Sequence, residues 1–95
     1  MPRAIWNDHV VAEAEQFEEV EGNIYFPQEA LNNELVRPSE RTTVCGWKGT
    51  ARYFDLVDGD QVAPNAVWTY PDPKPAAANI KDYVAFYCPP VRIEG

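Results

Sequence analysis

The stretch Thr50–Tyr70, TARYFDLVDGDQVAPNAVWTY, decides the fold. Thr50, Arg52, Phe54 and Leu56 alternate with Ala51, Tyr53, Asp55 and Val57 up to Asp58-Gly59, and Gln61 to Tyr70 supplies a return arm. Period-two alternation ending in Asp-Gly is the signal of a β-hairpin. The return arm holds Val62, Val67, Trp68 and Tyr70. Pro64-Asn65 inside it reads as a bulge or a second turn, because proline cannot donate to a strand ladder.

Working outward, Ile5 to Ala12 reads as a first strand bent at Asn7-Asp8, from its β-branched and aromatic content. Glu13 to Gln16 has helical propensity, but Glu21-Gly22-Asn23 between Phe17-Val20 and Ile24-Tyr25-Phe26 suggests a hairpin-like break, with Asn23 suited to a left-handed conformation. The strand Asn23 to Phe26 ends at Pro27, and Ala30, Leu31 and Leu35 give Pro27 to Leu35 the spacing of a short helix. Arg37-Pro-Ser-Glu-Arg then breaks the pattern. Tyr70-Pro-Asp-Pro-Lys-Pro is a stiff corner, and Pro75 opens a helix through Ile80 and Lys81. Tyr83 to Tyr87 is a strand stopped by Cys88-Pro-Pro, and Val91 to Ile93 adds a short edge strand. This makes roughly six or seven strands and two short helices, mainly β with α+β as the near alternative: an antiparallel sheet curled on itself.

Ninety-five residues form a single domain, 1–95, with one modest core. Composition that is 45% hydrophobic and 13% aromatic argues against disorder, and nine prolines against five glycines argue against long helices. No apolar run reaches the roughly 18 residues needed to span a bilayer and none resembles a signal peptide, so no membrane association and a cytoplasmic location are expected. There Cys45 and Cys88 are expected as free thiols. Two thiols and the single His9 fall short of a four-ligand zinc site; no metal and no cofactor are implied. A net charge of -7 disfavours nucleic acid as a partner. Oligomeric state leaves no mark on the sequence.

That charge is segregated. Between Ala4 and Val36 stand eight acids and no Lys or Arg, whereas Arg37, Arg41, Lys48 and Arg52 face only Glu40 in the stretch from Arg37 to Arg52, a local excess of +3. The densest chemistry lies here, in Thr42 to Gly49. Cys45 is the candidate nucleophile, because nearby cations lower a thiol pKa; against this, a cysteine in a strand is often only a small hydrophobe, and no spacing places His9 beside it as a base. Gly46 and Gly49 bracket Trp47-Lys48, so that a ligand could approach the backbone while the lysine holds a phosphate or carboxylate; the bland alternative is a turn with a solvated lysine. No P-loop is present. The candidate ligand-binding residues are Trp47, Lys48, Arg52, Tyr70 and Lys74: two aromatic walls at strand ends and three cations, Lys74 held by the proline-rich corner.

Several segments together resemble a known family. Tyr25-Phe26-Pro27, Thr43 to Tyr53 around Cys45-Gly46-Trp47-Lys48-Gly49, Trp68 to Ala77 through Pro71-Asp72-Pro73-Lys74-Pro75, Ile80-Lys81 and Val84 to Tyr87 look like the small bacterial domain of unknown function 427. The resemblance covers nearly the whole chain and implies a compact, mainly β fold similar to β-tent folds. Some classifications label the family nucleotidyltransferase. The zinc-bearing relatives of that fold use paired cysteines, which this chain lacks, and the family commonly has proline where Gly46 stands. Three functional readings follow: a domain binding a small anionic ligand (a nucleotide or a phosphorylated or carboxylated metabolite) in a Trp/Lys-lined pocket, with or without catalysis; a protein-interaction module without chemistry; and a nucleotidyltransferase-like enzyme.

Overall fold

The computed structural model describes residues 1–95, and its spine is the expected hairpin. In chain order the strands are β1 Arg3–Trp6, β2 His9–Glu13, β3 Glu18–Val20, β4 Asn23–Tyr25, β5 Val36–Cys45, β6 Gly49–Asp58, β7 Gln61–Thr69, β8 Val84–Phe86 and β9 Arg92–Glu94. They form three antiparallel sheets, ordered β5-β6-β7-β8, β2-β1-β9 and β3-β4. The fold is mainly β and contains no closed barrel. No helix is long and apolar enough to cross a membrane.

The β6–β7 hairpin closes through Gly59-Asp60, with Asp58 opposite Gln61 and Gly59 at a φ of 59°. Pro64-Asn65 is the anticipated bulge: Phe54 pairs with Val67 but Leu56 with Ala63, so the extra residues sit on β7. Asn65 takes a φ of 55°, and its N–H donates to Asp55 Oδ1 at 2.8 Å, which satisfies a donor the ladder cannot use.

Four expectations are corrected. Ile5 to Ala12 is a hairpin of two strands, because Asn7 and Asp8 both take positive φ (51° and 64°) and their short polar side chains tolerate it. At the β3–β4 turn the left-handed residues are Glu21 and Gly22, with φ of 55° and 80°, rather than Asn23. The Arg37–Arg41 segment does not interrupt structure; it lies within β5, whose ladder to β6 shifts register between Pro38 and Thr42. Since β5 is an edge strand, Pro38 sacrifices no partner on its open side. Finally, the expected helices are 3-10 turns, at Gln28–Ala30, Asn33–Leu35 and Pro75–Ile80, the last kinked at Ala77. Segments this short cannot recover the cost of nucleating an α-helix.

The register of the four-stranded sheet separates two apolar clusters. Phe54, Val67 and Phe86 form a row on one face, within a cluster that includes Phe26, Leu56 and Val84. Tyr53, Trp68 and Ala85 form the neighbouring row on the other face, with Tyr25, Ala51, Tyr70, Ala77 and Ile80. The first face is chiefly aliphatic and phenyl. The second is rich in tyrosine and tryptophan, side chains that bury a large surface yet retain a polar tip, and it is the face that carries the candidate site.

Candidate functional site

Cys45 and Gly49 pair across the end of the β5–β6 hairpin and leave Gly46-Trp47-Lys48 as a three-residue loop. The proline-rich corner braces that loop. The Lys74 N–H donates to Lys48 O at 2.9 Å, and Lys74 Nζ donates to Gly46 O at 2.6 Å. Gly49, at a φ of 113°, lets the two segments approach: a Cβ there would stand 3.3 Å from Asp72 O.

The loop sends Lys48 inward. The residue is only 8% exposed, and its ammonium lies 5.5 Å from the ring centroids of both Trp47 and Tyr70. Its one acidic partner is Glu21, whose Oε1 accepts from Lys48 Nζ and whose side chain is half exposed. Burial pushes the lysine pKa down, but the hydrogen bond with Glu21 and the nearby Tyr25 and Tyr70 phenols more than offset it, so the group stands above its ordinary value. The same hydrogen bond holds the Glu21 carboxyl below its usual range. Burial raises the Tyr70 phenol. At neutral pH the site therefore holds an ionised pair between two aromatic rings.

Cys45 is half-buried beside this pair and is not part of a disulfide. Backbone N–H groups of Lys48 and Trp47 draw its thiol below the ordinary value, helped by the Lys48 charge and opposed by burial and by Glu21. It has no imidazole base. His9 Nε2 is 2.9 Å from Asp58 Oδ2, at the opposite end of β6, roughly 30 Å of strand away.

Trp47, Lys48, Tyr70 and Cys45 thus come together, and Lys74 joins them as a brace through Gly46 O. Arg52 does not. It is exposed, aligns with Thr42 and Thr69, and alternates with Ala51 and Tyr53, so it lies on the opposite face of the sheet. The other cations of the basic stretch are also dispersed: Arg37 pairs with Asp55 at 3.1 Å, and Arg41 lies over Tyr53.

Two clefts, of about 500 and 490 Å³, open on the surface, and Lys48 lines neither. The second borders the site through Trp68 and the Gly22-Asn23 segment that follows Glu21, with Ile24, Phe86 and Tyr87 as apolar walls. Glu21 and Tyr25 are the site residues that sequence reasoning missed. Glu21 is one of eight acids in a run without cations, and only its place in the Glu21-Gly22-Asn23 break set it apart in the sequence.

The chain belongs to the family described as Domain of unknown function (DUF427), whose model carries the name NTP_transf_9 and matches residues 2–94. No curated protein matches it. Nucleotidyl transfer ordinarily requires divalent metal held by carboxylates. No three His, Cys, Asp or Glu side chains gather anywhere in this fold, so its residues do not fit such a centre.

Proposed function

We propose that this domain binds a small anionic ligand, a nucleotide or a phosphorylated or carboxylated metabolite, at Lys48. One observation carries the reading: a lysine whose side chain is only 10% exposed, with its ammonium set between the Trp47 and Tyr70 rings and a sole acidic partner that reaches it from an exposed turn. Desolvating an ammonium is costly, and a charged partner must offset it. Glu21 supplies that partner in the free chain, and a phosphate or carboxylate can take its place through a charge-assisted bond of the same kind. Trp47 is 41% exposed, which leaves a ring surface for the ligand to cover. Lys74 acts by holding the loop, and Arg52 has no part in the site. Cys45 is the neighbouring group with nucleophilic character.

Titration calorimetry with nucleoside monophosphates, sugar phosphates and dicarboxylates tests the reading. One class should bind saturably. Lys48→Met should weaken it at least about tenfold, the loss of one charge-assisted bond, and Glu21→Gln should strengthen it by removing the competing carboxylate. Absence of binding by every class, or a Lys48→Met protein that binds as the parent does, overturns the proposal.

A second reading, an interaction module, is favoured by Val44, which is 80% exposed on the open edge of β5. Bare strand edges bearing apolar side chains invite strand addition.

A further inference from the structure

We propose a second ligand site in this domain, for an oxyanion, where Arg41, Thr43, Tyr53 and Tyr87 converge on the aromatic face of the four-stranded sheet. It is separate from Lys48 and stands whether or not Lys48 binds a ligand.

Arg41 stands one step beyond the Thr42–Arg52 pair, beside Tyr53 across the ladder and two residues from Thr43, so it shares their face. The register shift between Pro38 and Thr42 is pinned by Ser39, whose hydroxyl donates to Asn65 Oδ1 and accepts from the Arg41 N–H at 3.2 Å. The guanidinium comes to lie 5.2 Å from the centroid of the Tyr53 ring. In a chain with 15 acids and eight Lys and Arg residues, Arg3, Arg37, Lys48 and Arg92 are all engaged in ion pairs, whereas Arg41 has no acidic partner. Of the five N–H donors of the guanidinium, one group reaches the Tyr53 hydroxyl and the others remain for an anion, in a fork that matches phosphate and carboxylate.

The hydroxyls beside it complete a donor set. Tyr53 is buried, at 6% exposure, and its hydroxyl lies 2.9 Å from Thr43 Oγ1. Two hydroxyls that share one hydrogen bond still hold a second proton, which is available to an incoming oxygen. Tyr87 stacks on Tyr53 with centroids 6.5 Å apart and planes 12° apart, remains 44% exposed, and also lines the 490 Å³ cleft. The position already favours negative charge: burial opposes ionisation of Tyr53, yet its hydrogen bonding with Thr43, Tyr87 and Arg41 and the Arg41 charge bring the phenol below its ordinary value. Because β5 is an edge strand, the approach to Arg41 and Thr43 is open.

The test is a titration of the ¹⁵N-labelled chain with inorganic phosphate and, separately, with acetate, at fixed ionic strength. At least one anion should give saturable shifts centred on Arg41, Thr43, Tyr53 and Tyr87, and the arm that does so identifies the oxyanion. Arg41→Gln should weaken that binding by about tenfold or more. Tyr53→Phe, which keeps the ring under Arg41, should also weaken it. Arg52→Gln, which removes the other unpaired arginine of the stretch from the opposite face, should leave it within about twofold, as should Lys48→Met. Non-saturating shifts with both anions, equal losses in Arg41→Gln and Arg52→Gln, or loss in Lys48→Met would each overturn a separate site.

Discussion

Gly49→Ala probes the joint that places Lys48. At a φ of 113° an L-residue is strained, at a cost of about 1–2 kcal/mol. The new methyl would also press on backbone that cannot swing away, with Asp72 O at 3.3 Å and Lys74 N and Pro73 Cα at 3.5 Å. That adds roughly 1 kcal/mol, as overpacking does. Lower entropy of the unfolded chain returns about 0.4–1 kcal/mol, for a net loss of roughly 1–2.5 kcal/mol. A domain of this length has only about 5–14 kcal/mol to lose, so the melting temperature should fall by about 5 °C or more. Gly46→Ala is the internal control: it has no positive φ and nothing within 4 Å of its Cβ, so it should be neutral or slightly stabilising. Urea unfolding followed by tryptophan fluorescence measures both. If Gly49→Ala lies within about 0.5 kcal/mol of Gly46→Ala, the proposed brace between loop and corner is wrong.

Two further outcomes concern titration. Glu21 is depressed below 4.5 and Lys48 raised above 10.5, so the pair's contribution is complete between those values; it is lost as pH falls through the Glu21 value or rises through that of Lys48. The stability gap between the parent and Glu21→Gln should be flat from about pH 5 to 9 and narrow in more acidic solution; a gap unchanged between about pH 6 and 3 contradicts this. The thiols should separate in the opposite sense to their residues' exposure. Cys45, lowered by loop N–H groups, should alkylate with iodoacetamide at lower pH than Cys88, which is raised by burial of its thiol although the residue is exposed overall. Mass spectrometry of each peptide over a pH series gives the order, and coincident profiles would show that the loop does not activate Cys45.

Local signals in the sequence carried well and long-range ones poorly. The β6–β7 hairpin was legible because alternation and Asp-Gly agree within ten residues, and Pro64-Asn65 was legible as a bulge or a second turn because proline cannot donate to the ladder; the register settles on the bulge. Pro38 misled because a proline ends a central strand but not an edge strand, and edge position is a property of the whole sheet. The alanines after Tyr70-Pro-Asp-Pro-Lys-Pro suggested a helix, but six residues are too few for that propensity to prevail. At the site, Trp47 and Lys48 were legible as neighbours between glycines. Arg52 was grouped with them by charge, although its place in the Ala51-Arg52-Tyr53 alternation already set it on the other face. The approach of Arg41 to Tyr53 was not foreseen, since it follows from the β5–β6 pairing register, in which Thr42 faces Arg52.

The segregated charge acquires a physical meaning from the fold. Of the eight acids before Val36, Glu21 alone forms an ion pair with the basic stretch; Glu13 turns instead to Arg3. Screening confines surface fields to about 8 Å at physiological salt, so the remaining acids do little to neutralise Arg41 or Arg52. The chain thus repels anions over most of its surface while keeping two cations poised on one aromatic face: Lys48 behind a single carboxylate and Arg41 behind none. If both proposals hold, the two positions differ in what an anion must do to bind: displacement at Lys48 and simple addition at Arg41. Glu21→Gln should therefore change affinity at the first and leave the second untouched.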